Sequence, residues 1–98
     1  MYLKVHGTVG NRVVAVCDSE LIGKILEDKK IYMDLDKHRG FYIGEQVEEN
    51  EVKKELIAFS SINLVGKQAV KIAVDMKLVT KRDVMYINNI PYIQVYRI

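Results

Sequence analysis

Ninety-eight residues make one domain, long enough to bury roughly 60–65% of its unfolded surface around a single core. With 49% hydrophobic and 29% charged residues the balance is that of a globular protein, and a net charge of +2, spread from Lys4 to Arg97, does not by itself mark a nucleic-acid binder. No run of about 18 apolar residues spans a membrane, the opening residues read as a strand and not as a signal-peptide core, and the lone Cys17 has no internal disulfide partner, so a cytoplasmic setting is expected.

Tyr2, Leu3, Lys4, Val5 and His6 alternate, with Leu3 and Val5 on one face. Gly7, Thr8, Val9, Gly10 and Asn11 supply a turn, and a nearly continuous apolar run from Arg12 to Cys17 follows. The two runs predict an antiparallel hairpin whose second strand, apolar on both faces, lies inside a sheet. Asp18 and Ser19 are good caps for a short helical turn at Glu20, Leu21 and Ile22, which Gly23 ends. Residues 29–36 alternate again and predict a third strand with Ile31, Met33 and Leu35 inward. Residues 37–46, with two glycines, two aromatics and a histidine, read as a loop. Residues 48–59 predict a helix with acidic residues in its first turn and a narrow apolar stripe of Val52, Leu56 and Phe59.

The stretch from Ser61 to Leu78 carries the strongest helical signal, after a break at Ser60. Lys67, Gln68, Lys71 and Asp75 share one side of a helical wheel, and apolar residues cover more than half of the girth, so the core helix is expected over about 65–78. Thr80 to Asp83 reads as a capped turn. Residues 84–87 and 90–98 predict two strands around Asn88 and Asn89, a two-residue type I′ turn. In that register Tyr86 and Pro91 form a non-hydrogen-bonded pair, and the missing proline N–H is tolerated provided the other neighbour does not need it. The expected fold is a single α+β domain over residues 1–98. Its sheet, antiparallel or mixed, has about four or five strands and carries the core helix (about 65–78) and the second helix (about 48–59) on one face.

Four segments read together: Val14-Ala15-Val16-Cys17-Asp18 with Leu21-Ile22-Gly23-Lys24, Phe41-Tyr42-Ile43-Gly44-Glu45, Asn63-Leu64-Val65-Gly66 leading into Ala69-Val70, and Ile90-Pro91-Tyr92-Ile93-Gln94-Val95. In this order and spacing the chain resembles the archaeal domain-of-unknown-function family numbered four hundred and twenty-four, over nearly its whole length. The resemblance implies a small cytoplasmic archaeal protein with no established activity and a translation-related setting. The family pattern has a second glycine where this chain has Ile43, and a histidine after the proline where it has Tyr92.

Candidate chemistry is sparse. Gly66 and Lys67 open a helix, yet the upstream glycine of a phosphate loop is missing and Gln68 replaces the Ser or Thr that holds magnesium. What remains is a helix start able to hold a phosphate or carboxylate, against the simpler reading that Gly66 permits close packing of helix on sheet. Cys17 ends an apolar run and reads as an inert buried thiol. Asp34 and Asp36 share one side of a strand and read as its wet face. His6, His38, Asp34, Asp36 and Cys17 lack the short fixed spacing of a metal site, so no metal, cofactor or catalytic residue is assigned.

Lys37, Arg39 and Tyr42 combine basic and aromatic groups on the irregular stretch, and Tyr92, Gln94 and Tyr96 form a second polar-aromatic surface. The leading expectation is a non-enzymatic module that binds RNA or a ribonucleoprotein, with Lys37, Arg39 and Lys67 on phosphates and Tyr42 stacking on a base. The alternative is a protein–protein adaptor or homodimer that pairs through a C-terminal edge strand reaching Ile98. A third reading is a small enzyme or ligand-binding protein with a site of Glu45, Asn63 and Gln94 beside Gly44 and Gly66.

Overall fold

β1 (Tyr2–Thr8) and β2 (Asn11–Cys17) form the expected hairpin, with Leu3 opposite Val16 and Val5 opposite Val14. The computed structural model describes residues 1–8, 11–57, 59 and 61–96, so Val9 and Gly10 of the expected turn lie outside the described residues. A 3-10 turn at Ser19–Leu21 follows and ends with Gly23 at φ 91°. The single strand expected over 29–36 is instead a second hairpin, β3 (Ile25–Asp28) and β4 (Ile31–Asp34), reversing at Lys29 and Lys30. Two lysines carry no turn signature, and this hid the reversal. Ile31 is exposed, and Leu35, just past β4, is the buried residue; its N–H donates to the Lys24 carbonyl at 2.8 Å.

The stretch 37–46, expected as a loop, holds the one-turn α1 (Arg39–Tyr42) and the two-residue β5 (Glu45–Gln46), which pairs with β1. Tertiary contacts stabilise α1: Lys4 Nζ donates to the Gly40 carbonyl at 2.7 Å and His6 Nε2 to the Phe41 carbonyl at 2.8 Å, satisfying groups a short helix leaves unpaired. α2 (Glu49–Glu55) is the expected second helix, shorter than 48–59, and opens with a capping box of Glu48 and Glu51. Ala58 and Ser60, included in the expected helix and in the break after it, lie outside the described residues.

The largest correction concerns the stretch from Ser61 to Leu78. Its first five residues are β6 (Ser61–Val65), and only then does the core helix start, as α3 (Lys67–Asp75), shorter than 65–78. Ile62 and Leu64 alternate with Ser61 and Asn63, so a strand period lies directly before the helical one, with Gly66 as the joint. After Asp75 the chain turns away with Lys77 at φ 60°. A 3-10 turn at Lys81–Asp83, held by the expected Thr80–Asp83 capping box, leads to β7 (Met85–Ile87) and β8 (Ile90–Tyr96). Asn88 (φ 49°) and Asn89 (φ 62°) are both left-handed, as a type I′ turn requires, and Tyr86 faces Pro91. The Pro91 carbonyl accepts the Gly66 N–H at 2.9 Å, and the Gly66 carbonyl that a proline N–H would have met accepts instead from Val70 N–H, at 3.0 Å. The missing donor therefore costs nothing there.

The main sheet has six strands, ordered β5-β1-β2-β6-β8-β7, and β3-β4 form a separate two-stranded sheet. Both the total and the connection exceed the four or five strands expected. Only the central pair β2–β6 is parallel. β8 lies between β6 and β7, yet β7 reaches only Ile90, Pro91 and Tyr92, so that Ile93–Tyr96 are paired with β6 alone; Ile98 lies outside the described residues. α2 and α3 cover one face, where Val14, Val16, Ile62, Leu64 and Ile93 meet Val52, Leu56, Ile72 and Ala73. The other face is covered by the β3–β4 hairpin and α1, where Ala15, Cys17, Val65 and Tyr92 meet Leu26, Leu35 and Tyr42. Two covers explain why β2 is apolar on both sides.

β2 and β6 end side by side, Cys17 opposite Val65. Asp18, only 2% exposed, sits there. Its Oδ2 accepts the Gln68 N–H and its Oδ1 the Ala69 N–H, each at 2.9 Å, and its own N–H donates to the Val65 carbonyl at 3.0 Å. Asp18 therefore does not cap the 3-10 turn beside it, as its sequence position suggests; it caps α3. Gly66, at φ 111°, makes room: a Cβ there would lie 2.3 Å from the Asp18 Cγ. Burial raises the Asp18 carboxyl above its ordinary range, against the two N–H donors that favour the ionised form.

Gly66→Ala is expected to destabilise the fold by about 3 kcal/mol or more, and Asp18→Ala by about 2–3 kcal/mol, in chemical denaturation. The double variant should cost less than the sum, because removing the carboxylate removes the atoms the new methyl meets. A carboxyl raised in the folded state contributes stability that is fully present below its unfolded pKa and is lost as pH rises through the folded one. The stability gap between wild type and Asp18→Asn should therefore widen as pH falls from about 7 toward about 4, read from urea midpoints.

Candidate functional site

Gly66 and Lys67 stand at the start of α3, where the sequence allows an anion to bind. Its Gln68 and Ala69 N–H groups are taken by Asp18, so the chain supplies its own anion. The Lys67 side chain is exposed and lines a groove of about 470 Å³ between α3 and β7. Lys71, one turn on, shares that wall, and the capped turn at Lys81–Asp83 brings Lys81 to it. Tyr86, 60% exposed, stands over an apolar floor that includes Val70, Val74 and Pro91. Lys71 Nζ donates to Asp75 Oδ2 at 2.8 Å, which raises the lysine pKa and keeps it charged. Sequence reasoning placed Lys67 and Lys71 on a polar helix face but missed Lys81 and Tyr86. The hairpin of β7 and β8 was legible; that β8 pairs with β6, which brings the hairpin next to α3, was not.

On the opposite face Tyr42 is 8% exposed and belongs to the second core, and burial pushes its phenol up to about 12. It is therefore not free to stack a base as expected, and Tyr92 is buried beside it. Arg39 Nη2 pairs with Asp36 Oδ1 at 2.6 Å. Asp34 Oδ1 accepts the N–H groups of Lys37 (2.7 Å) and Asp36 (3.0 Å), and Tyr32 Oη donates to Asp34 Oδ2 at 3.3 Å. These bonds, that of Lys37 foremost, hold the Asp34 carboxyl below the ordinary range and build the turn into α1. Asp34 and Asp36 thus have separate structural partners. Lys37 and Arg39 belong to the cover opposite Lys67.

Gln94 is exposed, and Asn63 faces it in the β6–β8 register. Glu45 lies on β5, three strands from β6, or roughly 14 Å at ordinary strand spacing, so these three residues do not share one site. Gly44 is a packing glycine: a Cβ there would lie 2.4 Å from the Leu3 carbonyl oxygen. His6 stacks on Phe41 with ring centroids 4.5 Å apart, and the register puts it opposite Val13, whereas Cys17 faces Tyr2. The imidazole is thus four residues along the ladder, roughly 13 Å from the thiol. Cys17 is fully buried, its Sγ donates to the Asp18 carbonyl at 3.4 Å, and burial pushes the thiol up to about 12. Among the described residues, no cluster of three His, Cys, Asp or Glu can hold a metal ion, and no helix is long and apolar enough to cross a membrane.

A six-stranded mixed sheet with helices on one cover and a hairpin with a one-turn helix on the other defines a small α+β domain. Residues 6–98 match the family model described as "Protein of unknown function (DUF424)", and the chain belongs to that family. Its fold is similar to the crystal structure of an uncharacterized conserved protein from Methanopyrus kandleri, at 25% identity and a TM-score of 0.78, over 97% of this chain and 89% of that one. No curated protein matches the chain.

The native protein should resist alkylation of Cys17 by iodoacetamide at about pH 8 for hours and react fully once unfolded in guanidinium, read by intact mass. Fast native labelling would show a thiolate that this burial does not allow.

Proposed function

We propose that the chain is a non-enzymatic module that binds single-stranded RNA in the groove between α3 and β7. The observation that supports this is the convergence of Lys67, Lys71 and Lys81 on one groove with the exposed Tyr86. Three ammonium groups face one carboxylate, Asp75, leaving the groove basic although the chain as a whole is nearly balanced. Charged walls track a phosphate backbone, and a tyrosine ring stacks on any base, which is what sequence-tolerant single-strand binding needs. The module would work in the cytoplasm, within a ribonucleoprotein in a translation-related role; a lone cysteine kept as a buried thiol agrees with the reducing setting alone.

A fluorescent oligoribonucleotide titrated at several salt concentrations tests the reading. Each lysine contact should contribute about 0.7 to the log–log salt slope, so Lys67→Ala and Lys81→Ala should each lower the slope by about that amount. Tyr86→Ala should weaken binding by about 1–3 kcal/mol with little change in slope. Lys37→Ala and Arg39→Ala, on the other cover, should leave both unchanged. Binding indifferent to salt and to the three groove substitutions would overturn the proposal.

A further inference from the structure

The opposite cover holds a cavity of about 310 Å³ whose chemistry is the reverse of the lysine groove. Its lining includes Tyr32, Asp34, His38, Phe41, Tyr42 and Gln94, and no lysine or arginine. Two nearby cations are engaged elsewhere, Lys4 Nζ on the Gly40 carbonyl and Arg39 on Asp36. Tyr32 is 62% exposed although it is a large aromatic residue, and Phe41 is half-buried. The Asp34 carboxylate is fixed by its bonds to the backbone N–H groups of Asp36 and Lys37 and by the Tyr32 hydroxyl. Those three donors occupy three of about four lone-pair directions and leave one on Oδ2. Gln94 adds a carboxamide oxygen on the β8 side.

We propose that this cavity binds an organic cation, an ammonium or guanidinium group on a short aliphatic stem. A carboxylate, a carboxamide oxygen and aromatic rings supply the acceptors and polarisable surface such a cation needs. The volume stands at the lower end for small-molecule sites and has room for one such group. An anion finds no lysine or arginine on the lining, and only the His38 imidazole could meet it there. The same chemistry occurs in free diamines and in lysine or arginine side chains of a protein, and the test separates the two sources.

The test is titration of the ¹⁵N-labelled full chain with N-acetyl-arginine methylamide, N-acetyl-lysine methylamide and agmatine, and with N-acetyl-citrulline methylamide as the neutral isostere, followed by NMR. The cations should shift the Asp36 and Lys37 N–H signals and the Gln94 carboxamide saturably, and the citrulline compound should not. Gln94→Glu should tighten binding roughly three- to fivefold and Gln94→Lys weaken it by at least as much. Tyr32→Ala should cost roughly two- to fivefold, with binding retained in Tyr32→Phe. Gln94 is exposed, so these variants do not depend on the fold tolerating the loss of Asp34, which also builds a turn. Agmatine binding as tightly as the amino-acid amides identifies a free small cation as the natural class; tighter amides identify a protein side chain. Equal binding of citrulline, or no saturable shift up to about 20 mM cation, overturns the proposal.

Discussion

One buried carboxylate ties the ends of the central strands to the start of the core helix. Asp18 leaves β2, accepts two N–H groups from the first turn of α3 and donates its own N–H to the last residue of β6. Placing a carboxylate out of water is costly, and its raised pKa records that cost. The helix dipole and two charge-assisted bonds offset it. Helix α3 in turn supplies Ala69, Ile72 and Ala73 to the larger core, and its Lys67 and Lys71 to the groove. The direction of the helix, the packing of the sheet and the placing of the lysines therefore share one origin. Gly66 is the counterpart of Asp18, since any side chain there would occupy the carboxylate's space.

Local patterns carried much of this in the sequence. The alternation of β1, the double-sided apolar β2, the two asparagines of the last turn and the Pro91 register all lie within a few residues of their partners, and each was legible. The order and spacing of the segments around Asp18, Gly44, Gly66 and Pro91 also led to the family. What was not legible is what depends on distance along the chain. Asp18 looked like a cap for the turn beside it, because nothing in its neighbourhood announces Gln68 and Ala69. Ser61–Val65 was read as the front of the helical stretch, because the alternation of Ile62 and Leu64 with Ser61 and Asn63 is too short to stand out against the helical period that follows. α1 has weak helical propensity, with a glycine inside, and is held by Lys4 and His6 from β1. The candidate residues fared likewise: Tyr42 proved to be core, and Lys81 and Tyr86 became visible only once the pairing of β8 with β6 put the last hairpin beside α3.

The two covers of the sheet differ in character. The helical side ends in a basic groove with an apolar floor, and the hairpin side ends in a cavity with one fixed carboxylate among aromatic rings. The sheet between them, with β2 and β6 paired on both sides, separates the two surfaces and leaves each to its own chemistry. The hairpin is tied to the sheet by a bond from the Glu27 N–H to the Asn88 Oδ1 at 2.7 Å. The second cover is therefore anchored at both ends, by α1 on β1 and by the hairpin on the β7–β8 turn.

The parallel pairing of β2 with β6 has a further consequence, for the order in which the protein is made. β2 leaves the ribosome early, with β1 on one side and an open edge of Val14, Ala15 and Val16 on the other. The strand that closes this edge arrives some 50 residues later, after roughly 3–10 s of synthesis at ordinary rates. Antiparallel neighbours within a hairpin need no such wait. Throughout that interval the most apolar strand of the molecule is a free template, and the nascent chain depends on its charged intervening segment, or on helper proteins, to keep it from pairing with the wrong strand.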